Sequence, residues 1–292
     1  MGPVGIWLGV AALHPADLMR REAALIEELG FGAIWYGEAV AREAFALGAI
    51  LLAATSRVTV ASGIANIWVR DAAAMANGAR ALAEAWPGRF VLGIGVSHPP
   101  LVNRRGHRYE QPLSAMRDYL DAMEHVSYTA PPPVEPAPVV LAALGPRMLE
   151  LARDRSAGAH PYFVPVEHTE KAREILSTRK FLAPEQAVVL APDRQSARPV
   201  GDRYMNTYLK LENYRNNLVR LGWAETDLQP PGSDALFDSL VAYGPIDRIR
   251  KRVEEHLNAG ADHVALSILT PTSTEPLDDA LRQLADGVLR RL

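Results

Sequence analysis

Short apolar runs alternate along the chain with longer stretches in which apolar positions recur at helical spacing, the pattern of repeated strand-helix units and a parallel sheet. Val4 to Val10 is predicted as the first strand. After His14-Pro15 the residues Leu18, Leu25, Ile26 and Leu29 follow a helical period until Gly30 stops it. Ala33 to Tyr36 is strand two, a helix runs from about Arg42 to Thr55, and the β-branched content of Val58 to Ile67 marks strand three. Ala72 to Ala85 is the next helix. Pro87-Gly88 breaks it, and Phe90 to Val96 reads as a buried fourth strand ending in the small-residue turn Gly93-Ile94-Gly95-Val96-Ser97.

The second half repeats the theme with longer interruptions. His98 to Gln111 is predicted as a long loop carrying Arg104, Arg105 and Arg108, followed by a helix with Leu113, Met116, Leu120 and Met123 on one face. Beyond the stiff Pro131 to Pro138 connection, Val139 to Leu144 is strand five, Arg147 to Arg155 a helix, Gly158 to Val164 strand six and Glu167 to Ser177 a helix. Gln186 to Ala191 is strand seven. Asp193 to Leu221 is helical, Gly222 to Tyr243 holds a small excursion, Ile246 to Leu257 is an amphipathic helix, His263 to Leu269 is strand eight, and Leu277 to Leu292 closes the chain as a helix. About eight such units in 292 residues is what one closed (β/α)₈ barrel requires, a single α/β domain over 1–292 with insertions near 98–111 and 193–244. An open doubly wound sheet is the competing fold, disfavoured because no glycine-rich dinucleotide fingerprint follows strand one.

Composition narrows the chemistry. With 31 Lys plus Arg against 34 Asp plus Glu the net charge is −3, which offers no field for a polyanion, so nucleic acid is not expected as a partner. No apolar run approaches the ~20 residues of a membrane span, and the amino terminus lacks the regions of a signal peptide, so a cytoplasmic protein is expected. The absence of cysteine removes disulfides, thiolate nucleophiles, zinc-thiolate sites and iron–sulfur clusters, and leaves redox chemistry to an organic cofactor.

In a barrel the chemistry sits at the carboxyl ends of the strands. The residues there are His14, Glu38, Asn66, Trp68 and Arg70, Ser97 and His98, His160 and Tyr162, and Thr270. Glu38 reads either as a partly desolvated acid/base group or as half of a rim ion pair with an arginine. His98, at the mouth of a glycine-rich turn, is placed to donate a proton or to bond a bound ring. His14 reads better as a helix-start residue, and His160 either stacks on a ligand or packs in the core. Two places offer backbone donors to an anion: Gly93 to Ser97, and Ala142-Ala143-Leu144-Gly145-Pro146-Arg147, which runs from strand five straight into a helix. A metal hydrolase lacks support, since strand one has no His-x-His pair and strand eight no acidic ligand; no metal site is predicted. A Gly-x-Ser-x-Gly nucleophile elbow is also missing. Hydride transfer asks less of side chains, because a cofactor carries the chemistry.

Three segments in order, Val60 to Asp71, Phe90 to Ser97 and Ala142 to Pro146, resemble the bacterial luciferase-like monooxygenase superfamily. Trp35 to Val40, Gly106 to Leu113 and Glu212 to Leu218 are similar to its subgroup dependent on the deazaflavin coenzyme F420. The resemblance implies a barrel with the deazaflavin across its carboxyl face, a small-molecule substrate above the ring, and a homodimer. It implies a non-proline cis peptide at Gly63–Ile64, near Asn66, backing the ring. It also implies that Gly95, Ser97 and His98 line the cofactor, that Ala143, Leu144, Gly145 and Pro146 bind phosphate, and that His160 and Pro161 close the site. Sugar-phosphate dehydrogenases of the family carry an Asp-His pair after strand two and a Glu after strand four, where this chain has Glu38-Ala39 and His98. The implied catalytic pair is thus Glu38 and His98 with their positions exchanged. An FMN-dependent monooxygenase and a non-catalytic flavin-binding protein are the alternatives to a coenzyme F420-dependent oxidoreductase.

Overall fold

The computed structural model describes residues 1–272 and 274–292, with Val10 and Ala11 described through the backbone alone. The first half alternates as expected: β1 (Val4–Trp7), α1 (Ala16–Leu29), β2 (Ala33–Gly37), α2 (Ala44–Ala53), β3 (Thr59–Asn66), α3 (Ala72–Ala85) and β4 (Phe90–Gly95). Gly30 ends α1 in the left-handed conformation at φ +93°, and Asp71 caps α3 by accepting the Ala74 N–H at 2.7 Å. The first strand is shorter than its apolar run, because the chain turns into a 3₁₀ segment over Val10–Leu13. The 98–111 stretch is not wholly a loop: Pro99 and Pro100 start a short helix, α4 (Pro99–Arg104), before α5 (Pro112–Glu124).

There follow β5 (Val139–Leu141), α6 (Pro146–Arg155), β6 (Gly158–Ala159), α7 (Val166–Leu176), β7 (Phe181–Leu182) and β8 (Glu185–Val189). Strand six is cut short because Phe163 takes a left-handed φ of 56° that no ladder accommodates. The helical stretch from 193 divides into α8 (Arg194–Tyr208) and α9 (Glu212–Leu221), and the excursion after it contains α10 (Asp234–Leu240) and β9 (Val241–Tyr243). Then come α11 (Ile246–Asn258), β10 (Val264–Ile268) and α12 (Asp278–Gly287).

All ladders are parallel, in the order β7-β6-β5-β4-β3-β2-β1-β10-β8-β9. The two outer regions of this order are one interrupted strand. Phe181, Ala183 and Glu185 donate their N–H groups to Ala157, Ala159 and Pro161 on the β6 side, while β8 pairs with β10 on the other. The sheet therefore closes into a barrel, with β9 added against the upper half of β8.

The interior is filled by a few large rings. Trp35 donates Nε1–H to His263 Nε2 at 3.0 Å, and the His160 ring lies between Trp35 and Trp7, with centroids 4.6 and 5.2 Å away and nearly parallel planes. Room for them comes from small residues opposite: a Cβ added at Gly63 would stand 2.2 Å from the Trp7 ring. Gly63 also marks a bulge. Ser62 pairs with Leu92 but Ala65 with Ile94, so β3 carries one extra residue and bends toward the carboxyl mouth. The bend is made by that extra residue with a trans peptide at Gly63–Ile64. The expected cis bond is not there, and the cis bond among the described residues is Pro230–Pro231.

Candidate active site

Glu38 follows β2 directly. Its carboxylate, 4% exposed, accepts the backbone N–H groups of Ala44 and Asn66 at 2.9 Å each, and both terminal nitrogens of Arg70, one of them at 2.9 Å. Arg70, 8% exposed, also reaches Glu43 at 2.5 Å. The carboxylate is thus a bracket that joins the ends of β2 and β3 to the start of α2, with four donors on its two oxygens.

Beyond that bracket, the strand ends surround a pocket of about 60 Å³ lined by Ile64, Ser97, His98, Leu144, His160 and Tyr162 and covered by Asn213 and Tyr214 of α9. The bulge brings Ile64 forward, and Gly95 leaves it space: a Cβ there would meet the Ile64 side chain at 2.6 Å and Ala142 at 3.0 Å. Ser97 holds a left-handed φ of 60°, which turns the chain so that the next residue faces the pocket. That residue, His98, places Nδ1 3.2 Å from Asn213 Oδ1 with its ring 5.4 Å from the Tyr214 ring. Donation from Nδ1–H to the amide oxygen leaves Nε2 as a bare acceptor, and burial pushes the imidazole below its ordinary pKa, toward the neutral form.

His160 donates Nδ1–H to the Ala183 carbonyl at 2.6 Å, and burial pushes it down to about 4. Its Nε2 is buried without a partner, as is Nδ2 of Asn66, whose Oδ1 accepts the Trp68 N–H at 2.9 Å. Pro161 lies behind, its carbonyl taking the Glu185 N–H at 2.9 Å. On the far side, Ala142 N–H bonds to Ile94 O at 2.9 Å and His168 Nε2–H holds the Leu144 carbonyl at 2.9 Å. Gly145 and Pro146 then open α6 with no side-chain cap.

The structure therefore brings Ile64, Ser97, His98, Ala143, Leu144 and His160 together around the pocket, whereas Gly63, Asn66, Gly95, Gly145, Pro146 and Pro161 are not part of its lining. Glu38 stands outside this lining. His14 is spent on a buried pair with Glu22 at 2.9 Å. Asn213 and Tyr214 belong to a segment that the sequence singles out by resemblance alone. Nothing in the pattern pointed to Glu185, buried inside the barrel and pushed up to about 7 by that burial, with Tyr204 O–H 2.8 Å from it. A larger cleft, about 570 Å³, lies at the amino ends of the strands among Thr59, Val91, Val140, Ala157 and Phe181, and shares no lining residue with the pocket at His98. Barrel chemistry belongs to the other end. Among the described residues no group of three or more His, Cys, Asp or Glu is placed to hold a metal ion, and no helix is long and apolar enough to cross a membrane.

The model for the luciferase-like monooxygenase family matches residues 4–263. A Mycobacterium tuberculosis protein whose name provisionally makes it a coenzyme F420-dependent oxidoreductase is 25% identical over 343 residues, covering 94% of this chain and 97% of its own. Among solved structures, an F420-dependent secondary alcohol dehydrogenase in complex with an F420-acetone adduct is similar with a TM-score of 0.76 and 13% identity over 99% of both chains. The oxygenating constituent of 3,6-diketocamphane monooxygenase of Pseudomonas putida, in complex with FMN, gives 0.74 and 14% over 100% of this chain and 99% of its own.

Proposed function

Because the chain belongs to the luciferase-like monooxygenase family, we propose that it is an oxidoreductase that moves a hydride between the deazaflavin coenzyme F420 and a small hydroxyl-bearing substrate, with His98 handling the proton. The observation that carries this reading is His98 itself, half-buried at the pocket with Nδ1 committed to Asn213 and a neutral Nε2 free to accept. The name of the Mycobacterium tuberculosis relative supports the choice of coenzyme.

The residues present fit a deazaflavin. Two buried polar atoms, Asn66 Nδ2 and His160 Nε2, await partners at the strand ends, and Gly95 keeps the Ile64–Ala142 surface flat. When bound, the coenzyme supplies the carbon that takes up or gives back the hydride. Ile64 would back the ring and the 143–146 turn would hold the polar side chain, while Ser97 orients His98. Nε2 of His98 would take the proton of the substrate hydroxyl while the carbon bearing that hydroxyl gives up the hydride, and would return the proton in the opposite direction. Glu38 acts as a positioning residue by fixing the end of β3 through the Asn66 N–H. A space of about 60 Å³ is smaller than a tricyclic ring, so entry requires α9 and the strand-four loop to part at the His98–Asn213 bond.

A parallel equilibrium titration with coenzyme F420 and FMN, read by absorbance and fluorescence, tests the proposal. Micromolar binding of F420 with FMN ignored is expected. Preference for FMN would move the protein to oxygen-using monooxygenation, the activity of the Pseudomonas putida neighbour, and binding of neither would remove the proposed chemistry.

A further inference from the structure

Helix α9 carries a polar stripe that hydride transfer alone does not use. Asn213, Asn217 and Arg220 follow one another at helical spacing on a single face, about 10 Å from end to end. One end meets His98 through Asn213. The other lies against the turn before α6, where a Cβ added at Gly145 would stand 3.4 Å from Arg220 Nη2. Between them Asn217 is 2% exposed, its Oδ1 3.4 Å from the same guanidinium and its Nδ2 buried with no partner.

Of the acceptors around this space, His168 Nδ1 is buried without a partner and the others are taken. The Leu144 carbonyl is bound by His168 Nε2–H and Asn217 Oδ1 by Arg220. Against that one acceptor stand three sets of donors: an uncapped start of the ten-residue α6, an unsatisfied buried amide NH₂, and a guanidinium with no ion pair among the described residues. An unpaired cation beside an uncapped helix start and a buried donor selects a compact anion with several acceptor oxygens, the description of a phosphate. The distance along α9 from the proton-handling end to this basin is one that a polyhydroxylated chain between a ring and its phosphate spans.

We propose that Arg220 and Asn217, facing the amino end of α6, bind the phosphate of the coenzyme's side chain and so set the preference for the phosphorylated over the unphosphorylated ring system. This deepens the reading of the site as a deazaflavin site and rests on it. The test is equilibrium binding of two probes, coenzyme F420 and the deazaflavin nucleoside that has the same ring and ribityl chain but no phosphate, to wild type, Arg220→Ala and Arg220→Lys. Arg220 is exposed, so the variants fold, which a thermal melt checks. Arg220→Ala is expected to weaken F420 by about tenfold to a hundredfold and leave the nucleoside unchanged, with Arg220→Lys recovering part of the loss. Wild-type affinity for F420 should also fall with added salt while that for the nucleoside does not. Equal binding of both probes by wild type, or equal weakening of both by Arg220→Ala, overturns the phosphate assignment and leaves the deazaflavin site standing. Binding of neither probe by wild type overturns both.

Discussion

Replacing Arg70 by alanine isolates the Glu38 bracket. The pair is nearly closed to solvent, with 8% and 4% of the two side chains exposed, so water cannot take over when the guanidinium is removed. Two of the four donors to Glu38 come from Arg70, and the backbone N–H groups of Ala44 and Asn66 stay in place. Stranding a buried charge costs about 3–5 kcal/mol, and the two retained donors put this case at the low end, about 3 kcal/mol. Glu43, nearly half exposed, adds little. Urea denaturation at pH 7, followed by circular dichroism, measures the loss. The same argument fixes the double variant: Glu38→Gln added to Arg70→Ala removes the stranded charge and recovers most of the loss, a coupling of about 2 kcal/mol or more. A loss under about 1 kcal/mol for Arg70→Ala, or a double variant no better than the sum of the singles, would refute the account of Glu38 as a charge held in place by Arg70. The cycle also bears on catalysis, since a bracket tolerates Glu38→Gln with hydride transfer retained whereas His98→Ala removes it. Were both to leave turnover intact, proton handling would lie elsewhere.

An NMR titration of the His98 imidazole is expected to give a midpoint below the ordinary 6.5, because burial opposes its charged form, and a value at or above 6.5 would contradict the proposed resting state. Folding stability should fall on acidification. His160, His168, His256 and His263 sit at about 4, 4, 3 and 4, pushed below 6.5 by burial, so between pH 6.5 and 4 the unfolded chain binds more protons. Glu185, pushed up to about 7 by burial, binds its proton in the folded state over part of that window and offsets one of the four. The net slope is as much as three protons, about 4 kcal/mol per pH unit, and urea midpoints that do not move between pH 7 and pH 5 would sink the argument. Gly63→Ala forces the Trp7 ring off a contact at 2.2 Å and is expected to cost about 2–3 kcal/mol by thermal or urea unfolding, an unchanged midpoint being the refuting result.

How much of this was written in the chain follows the length of each element. The Ala72–Ala85 helix is legible to the residue, because Asp71 caps it and Pro87-Gly88 follows. Strand six is not, since a two-residue ladder has no period and the apolar run Tyr162-Phe163-Val164 turns away at Phe163. Phe181–Leu182 and Val241–Tyr243 are lost for the same reason. At the site, residues directly after long strands, Glu38, Asn66, Ser97 and His98, stand out because an apolar run stops at a polar group. Their partners do not: Asn213 lies 115 residues from His98 on an amphipathic helix, and such a face reads alike whether it covers a core or a ligand. The Glu38–Arg70 pairing was open for the same reason, both ends being visible, 32 positions apart, and the stretch between them silent.

The wall that covers the pocket hangs from a single connection. Everything between β8 and β9, from α8 to α10, leaves the barrel and returns to the same strand edge. A lineage can lengthen, trim or replace that excursion while the eight-strand ring and its tryptophan-filled interior stay as they are. The ring keeps the strand-end pocket, while the excursion brings Asn213 to His98, so a change in the length of this one segment reshapes the cover of the pocket before it reaches the barrel.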